Sequence, residues 1–166
     1  RRVLFRSIYT CNRCGEQKAE TLEKLAYPKA GTKYTVAGCQ YKVTKAGAEV
    51  SLIKANKKAK RVTIPAVIKV NGVTYKVTSI GAKAFNGNKK LTKVTIGINI
   101  KKISNNAFYK CRSLKMVTIK SVLLTKKTAN KKAFKGVNKK MVIKVPKKVK
   151  KVYVKIFKGV KVNKII

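Results

Sequence analysis

The residues that could do chemistry in this chain are cysteines and lysines. Cys11 and Cys14 form a C-x-x-C-G pair, Cys39 and Cys111 stand alone, and there is no histidine. Two thiolates at this spacing can hold one zinc ion, but a structural zinc site needs about four ligands. A redox-active C-x-x-C pair would need a thioredoxin-like strand and helix, which the polar surroundings do not indicate. The sequence therefore predicts neither a metal site nor a cofactor.

Acidic residues are confined to the start of the chain, at Glu16, Glu20, Glu23 and Glu49. General acid–base catalysis and hydrolytic metal sites need histidines or carboxylates, and residues 50–166 contain none. A serine or cysteine nucleophile would have only lysine to activate it, and no such pair stands out. The stretch GAKAFNG lacks the spacing of a phosphate-binding loop. We therefore predict a protein that is not an enzyme, with no catalytic, cofactor-binding or metal-binding residues.

Positive charge dominates the composition. The 166 residues contain 43 Lys and Arg against 4 Asp and Glu, a formal net charge of +39, while 45% of the residues are hydrophobic. That apolar content can supply the core of one ordinary domain. Lysine interrupts every apolar run well before the roughly 18 residues of a membrane-spanning helix. We expect a folded basic domain without a membrane span.

An internal repeat organises the middle of the chain. SIGAKAFNGNKKLTKVTI begins at Ser79 and is followed by KISNNAFYKCRSLKMVTI from Lys102. Five apolar pairs keep a period of 23 residues: Ile80 and Ile103, Phe85 and Phe108, Leu91 and Leu114, Val94 and Val117, and Ile96 and Ile119. A period in the twenties around L-x-x-V-x-I is typical of a leucine-rich-repeat coil. Because each coil leaves its faces uncovered, neighbouring coils are expected to stack with their phenylalanines one above another.

A third, eroded copy follows. Ala133 and Phe134 repeat the Ala-Phe pair after 26 residues, and VIKV from Val142 stands where VTI stood. Ala129 takes the place of the isoleucine and Lys140 that of the leucine. Such erosion is expected of a terminal coil, which faces water on one side.

The segments on either side of the repeat also have readable patterns. Alternation predicts lead-in strands at Tyr34 and Val36, Tyr41 and Val43, and Val50 and Leu52, with turns at Gly38 and Gly47, and a further strand at Val62 and Ile64. Asn71-Gly72 predicts a type I′ hairpin turn before Val77. Helical spacing of Val149, Val152, Tyr153, Ile156 and Phe157, between Pro146 and Gly159, predicts a capping helix before a last strand, VKVNKII. A strand across VKKVYVKIF is the alternative, since valine and isoleucine favour strands.

The blocks VTIPAVIKVNGVTYKVTSIGAKAF, LTKVTIGINIKKISNNAFYKCRSLKMVTI and AFKG resemble BspA-type leucine-rich repeats of bacterial surface proteins. The resemblance covers about residues 60–146 and implies a mainly β solenoid with a β-hairpin lead-in and a C-terminal capping helix and strand. It also implies a monomeric, secreted or cell-wall-associated interaction domain. Cys111 falls on a common cysteine of the family that is implied to be buried. Gly97 and Lys120 depart from the proline often found there, which leaves the strand ends open.

The domain division follows from these segments. We expect a sequencing-adapter artefact at 1–7 (RRVLFRS), the remnant of a C-x-x-C module and its linker at 8–30, and a β-rich N-terminal cap at 31–60. Repeat coils are expected at 61–146 and a C-terminal cap at 147–166. A genuine basic start is the alternative for RRVLFRS. The segment YTCNRCGEQKAE resembles the end of a small module of extracellular proteins from anaerobic bacteria.

Three explanations of the lysines compete. They can fill exposed positions and guard open sheet edges, or they can hold an anionic wall or surface polymer. The alternative function is non-specific nucleic-acid binding, although residues 50–166 contain only Arg61 and Arg112 as arginines and the chain has no tryptophan. A host or matrix protein is also an expected partner, and it would contact Lys93 and Lys115 beside successive strands of the repeat.

Overall fold

A computed structural model describes residues 7–10, 17–20, 27–160 and 162–166. The first two ranges are strands β1 (Ser7–Thr10) and β2 (Gln17–Glu20), which pair antiparallel. Cys11 and Cys14 lie outside the described residues, as does all but Ser7 of the predicted adapter segment. Their chemistry and the division of the chain at residues 30, 60 and 146 stay predictions.

The lead-in is a three-stranded antiparallel meander. It consists of β3 (Lys33–Val36), β4 (Cys39–Lys45) and β5 (Glu49–Lys54). Alternate side chains on β4 are buried, as are Val50, Ser51 and Leu52 on β5, while Gly38 and Gly47 occupy the turns with φ of +72° and +64°. The predicted lead-in strands are confirmed.

A hairpin is inserted between the lead-in and the regular coils. After β6 (Arg61–Ile64), strands β7 (Val67–Val70) and β8 (Val73–Ile80) pair antiparallel around Asn71-Gly72. Both turn residues have positive φ, +49° and +76°, as a type I′ turn requires. Strand β8 also pairs parallel with β5, so the lead-in and the coils share one sheet.

A five-stranded parallel sheet forms one side of the solenoid. The remaining strands among the described residues are β9 (Lys93–Ile96), β10 (Lys102–Ile103), β11 (Met116–Ile119), β12 (Val142–Lys144) and β13 (Lys164–Ile165). The order in this long sheet is β6, β9, β11, β12, β13. Val62, Val94, Val117 and Ile143 lie in register and point into the core. The 23-residue period therefore places equivalent residues directly beside one another.

The second side of each coil is a shorter parallel ladder. Ile80 on β8 pairs with Ile103 on β10, and Ile103 forms a bridge with Ala129. All three side chains are buried. The predicted substitution of alanine for isoleucine in the third coil is confirmed.

The third side carries the stacked phenylalanines. Phe85 and Phe108 have ring centroids 4.7 Å apart, and Phe108 and Phe134 5.1 Å apart, with interplanar angles of 21° and 6°. Backbone hydrogen bonds join the same turns: Phe85 N–H donates to Ala107 C=O and Phe108 N–H donates to Ala133 C=O. In the third coil the turn is a 3-10 helix, Lys131–Phe134. The expected column of phenylalanines is confirmed.

The third coil fills one core position differently from the coils before it. Lys140 is exposed, and its neighbour Met141 is fully buried. Met141 follows Phe134 by seven residues, whereas Leu91 and Leu114 follow their phenylalanines by six. Met141 therefore fills the same place in the core as the two leucines. The strand register places Lys140 opposite Leu114, as predicted, and the apolar side chain that fills the core comes one residue later, at Met141.

Gly97 has a steric reason to lack a side chain. A Cβ there would lie 2.8 Å from the carbonyl oxygen of Ile64 and 2.9 Å from backbone atoms of Pro65. Lys120 is exposed, and its N–H donates to Ile96 C=O. Both β9 and β11 still end at the isoleucine, so the departures from proline leave the strand ends unchanged.

The C-terminal cap is helical. A 3-10 turn at Lys147–Val149 leads into α1 (Lys150–Ile156). Tyr153, Ile156 and Phe157 are buried, with the Phe157 ring edge-on to Phe134 at 5.8 Å. The Tyr153 hydroxyl donates to Ser121 C=O over 2.9 Å and accepts from Leu124 N–H over 3.2 Å. The capping helix is confirmed over the strand alternative. Its helical spacing places Tyr153, Ile156 and Phe157 together on the end of the core.

Candidate functional site

Lys93 and Lys115 are both exposed, but they lie in different rows. Lys93 pairs with Met116, whereas Lys115 precedes β11 and its N–H donates to Thr92 C=O. The outer row through Lys93 consists of Arg61, Lys93, Met116, Val142 and Lys164. The register places a partly buried methionine, Met116, beside Lys93, and contact of a partner protein with the two lysines stays a prediction.

Cationic side chains collect instead in the loops that enter the long sheet. Since its strands are parallel, these loops lie at one edge of the sheet. Hydrogen bonds stack them: Asn88 Nδ2 donates to Asn56 C=O, and Thr92 N–H donates to Lys60 C=O. The cationic edge, as we call this surface, comprises Lys57, Lys58, Lys60, Lys89, Lys90, Arg112, Lys115, Lys139 and Lys140, all exposed.

The loops that leave the long sheet are apolar by comparison. Ile98 is 57% exposed, Val122 50% and Leu123 44%. Asn99 Nδ2 donates to Ala66 C=O, and Ser121 Oγ donates to Ile100 C=O, so these loops are stacked as well. The edge where strands leave the sheet therefore mixes exposed aliphatic side chains with lysines such as Lys120, whereas the four loops of the cationic edge expose no large aliphatic side chain.

Glu49 is the only acidic residue after residue 23 and lies away from the cationic edge, on β5. Its carboxylate contacts Lys101 Nζ at 3.3 Å and accepts from Thr78 Oγ1 over 3.2 Å. Its side chain forms an ion pair with a lysine that directly precedes β10. The four loops of the cationic edge contain no carboxylate.

The described cysteines are packing residues. Cys39 and Cys111 are buried and unbonded to each other, and Cys111 Sγ donates to Phe85 C=O over 3.0 Å. Burial raises the pKa of the Cys111 thiol to about 11, against the opposing effect of a hydrogen bond from the Asn88 backbone. A thiol that keeps its proton at neutral pH is a poor nucleophile, so the structure agrees with packing for Cys111.

Within the part of the chain that the structure describes, no group of three or more His, Cys, Asp or Glu side chains is placed to hold a metal ion. Over the same residues, no helix is long and apolar enough to cross a membrane.

Sequence reasoning missed the cationic edge as a surface. The available signal was the repeated placement of lysine or arginine four to seven residues after each Ala-Phe pair, just before each strand of the long sheet. Counting charges over the whole chain hid this placement, because lysine is frequent almost everywhere.

The profile of the BspA type leucine rich repeat region matches residues 57–166 in six copies. No curated protein matches the chain. Solved structures provide further similarities. A leucine rich cell surface protein from Faecalibacterium prausnitzii A2-165 is 26% identical, with a TM-score of 0.49, over 72% of this chain and 38% of its own.

A leucine-rich repeat protein from Bacteroides ovatus is 24% identical over 68% of this chain and 36% of its own, with a TM-score of 0.47. A leucine-rich repeat protein from Bacteroides capillosus is 19% identical over 69% of this chain and 98% of its own, with a TM-score of 0.48. The chain thus spans well under half the length of the first two.

Proposed function

The chain belongs to the BspA type leucine rich repeat family, and from this we propose that it is a non-enzymatic interaction or adhesion module of a bacterial surface protein. We further propose that it holds anionic wall or surface polymers. Its location would be extracellular or associated with the cell wall, where such polymers occur.

The observation that carries the polymer proposal is the cationic edge. Adjacent strands of a sheet lie about 4.8 Å apart, so equivalent cations recur at about that interval along the solenoid. Lys89 in one coil is followed by Arg112 in the next, and Lys139 and Lys140 extend the row. A line of like charges attracts a linear polyanion at many points, and it does so without any carboxylate in these loops to compete.

The same edge would also attract nucleic acid at low salt, because phosphate neutralisation releases counterions. Base-specific recognition relies on arginine forks and stacked aromatic rings. The edge contains one arginine, Arg112, and its other members are lysines. The composition of the edge therefore favours a polymer with regular charge over a specific base sequence.

The test compares three polyanions at one salt concentration. Retention of the protein on wall teichoic acid, heparin and duplex DNA is measured at about 150 mM salt, where the Debye length is roughly 8 Å. Selective retention on teichoic acid or heparin is expected. If retention were lost equally from all three polymers, the proposal would be contradicted, and the lysines would be explained as filling exposed positions and guarding sheet edges. Tight binding to DNA alone would favour the nucleic-acid alternative.

A further inference from the structure

A second concentration of positive charge lies next to the cationic edge, in a groove between the last two coils and the C-terminal cap. The groove has a volume of about 550 Å³, within the usual range for small-molecule sites. Its charged lining is cationic throughout: Lys110, Arg112, Lys131, Lys132 and Lys135. All five side chains are exposed, so their charged groups can reach a ligand in the groove.

The wall and floor of the groove are apolar. Phe134 is only 3% exposed, and partly buried Val160 and Tyr109 complete this surface. Lys110 Nζ lies 5.2 Å from the centre of the Tyr109 ring, which keeps an ammonium group beside the wall. The groove therefore offers aliphatic and aromatic surface below a rim of cations.

Two glycines keep the groove open. Gly136 and Gly159 both line it with positive φ, +74° and +88°. A Cβ on Gly159 would have no heavy atom within 4 Å, and one on Gly136 would lie 3.4 Å from Lys110 Cγ. Any larger side chain at either position would project into space that a ligand could use.

The rim is fixed by the coils that it joins. The N–H of Lys110 donates to Lys135 C=O over 3.0 Å, which ties the second-coil turn to the third. Asn130 Oδ1 accepts from Lys132 N–H over 2.9 Å and caps the 3-10 turn that carries Lys131 and Lys132. The exposed cations therefore extend from a hydrogen-bonded backbone.

We propose that this groove is a subsite for one sulfated or phosphorylated sugar unit of an anionic polysaccharide. This inference rests on the proposed function and names the ligand class of one part of its surface. The ester oxyanion would contact the cationic rim, where the planar fork of Arg112 can bind two of its oxygens. The apolar face of the sugar ring would pack on Tyr109 and the floor, as sugars do on aromatic surface.

The test measures the affinity of a heparin hexasaccharide for the full chain at about 150 mM salt. The groove variant combines Lys131→Ala with Lys132→Ala, two residues that line the groove and lie outside the cationic edge. The matched control combines Lys69→Ala with Lys76→Ala, which removes two exposed charges from the β7–β8 hairpin. Circular dichroism and the thermal midpoint establish that both variants fold.

We expect the groove variant to bind about tenfold more weakly or worse, as the loss of charge-assisted hydrogen bonds predicts. The control should change affinity by less than about threefold, because exposed charges at a distance are largely screened. Arg112→Lys keeps the charge but loses the fork, and it should still weaken binding by a few fold.

Each other outcome is informative. Equal losses in the groove variant and the control would overturn the subsite while leaving the proposed function in place. No binding by the unmodified chain to heparin or to teichoic acid would overturn both. If poly-glutamate bound as tightly as the heparin hexasaccharide and lost the same affinity in the groove variant, the sugar assignment would be overturned. Comparing heparin with a glycerol-phosphate teichoic acid distinguishes sulfate from phosphate esters.

Discussion

Cys111 and Asn88 occupy equivalent positions in successive coils and perform the same structural task with different chemistry. Asn88 Oδ1 accepts from Leu91 N–H over 3.1 Å, and its amide donates to Asn56 in the lead-in. Cys111 reaches back to the carbonyl of Phe85. Each side chain ties its own turn to the segment stacked before it.

The stability of the fold should therefore fall in alkaline solution through Cys111. Its pKa is raised from 9.0 to about 11, so between these values the unfolded chain loses the thiol proton while the folded chain keeps it. Stability from this group is complete below pH 9 and is lost as pH rises through 11, by at most about 3 kcal/mol.

The measurement is the urea midpoint of the unmodified protein and of Cys111→Ala between pH 8 and pH 11. The variant starts less stable but should lose less with rising pH, since tyrosines such as Tyr41, whose burial raises its pKa to about 12, are common to both. Parallel pH profiles would show that the buried thiol does not titrate as described.

Gly87 is a second residue whose role can be isolated. It has φ of +65°, and Lys110 adopts +55° at the equivalent position one coil later. Gly87→Ala should cost about 1 kcal/mol of unfolding free energy, because a Cβ strains this conformation even though nothing lies within 4 Å of it.

Lys110→Ala is the matched control, since residue 110 already has a Cβ in the same conformation. It should change the denaturation midpoint little beyond the loss of its contact with Tyr109. If Gly87→Ala and Lys110→Ala changed the unfolding free energy by the same amount, backbone strain would not explain why residue 87 is a glycine.

At the scale of elements, the stacked turns are the main structural device. Phe108 lies between Phe85 and Phe134, with ring contacts on both faces, and is fully buried. Phe108→Ala should lower the unfolding free energy by about 3–5 kcal/mol, because it leaves a cavity in the middle of the column.

Phe108→Leu is the comparison, and it should cost clearly less because it fills most of the cavity. Guanidinium denaturation followed by circular dichroism gives both values. A loss below about 1 kcal/mol for the alanine variant would contradict the importance of the column.

Much of the architecture could be predicted because its signals are local or periodic. The spacing of Phe85 and Phe108 predicted the column, and Asn71-Gly72 predicted the hairpin turn. The place of Met141 could not be predicted, because the extra residue between Phe134 and Met141 is offset by one fewer before Ile143, which leaves the spacing from phenylalanine to strand unchanged. The groove was also beyond the sequence, since it depends on Gly136, Gly159 and Lys110 meeting across separate turns.

At the scale of the whole molecule, parallel stacking converts a repeated sequence into a polarised surface. Four loops that enter the long sheet add nine exposed cations to one edge, and the loops that leave it add Ile98, Val122 and Leu123, together with lysines, to the other. A formal charge of +39 would act equally in all directions if it were spread evenly. The cations stacked from coil to coil along the cationic edge would give a linear polyanion a continuous line of contacts.

The most direct test neutralises that edge and compares it with an equal change elsewhere. One variant replaces Lys89, Lys90, Lys139 and Lys140 with glutamine, and the control replaces Lys33, Lys42, Lys69 and Lys76, all of them exposed. Affinity for wall teichoic acid is measured by titration calorimetry at about 150 mM salt. The account predicts a loss of about tenfold or more for the edge variant and less than about threefold for the control; equal losses in both would contradict it.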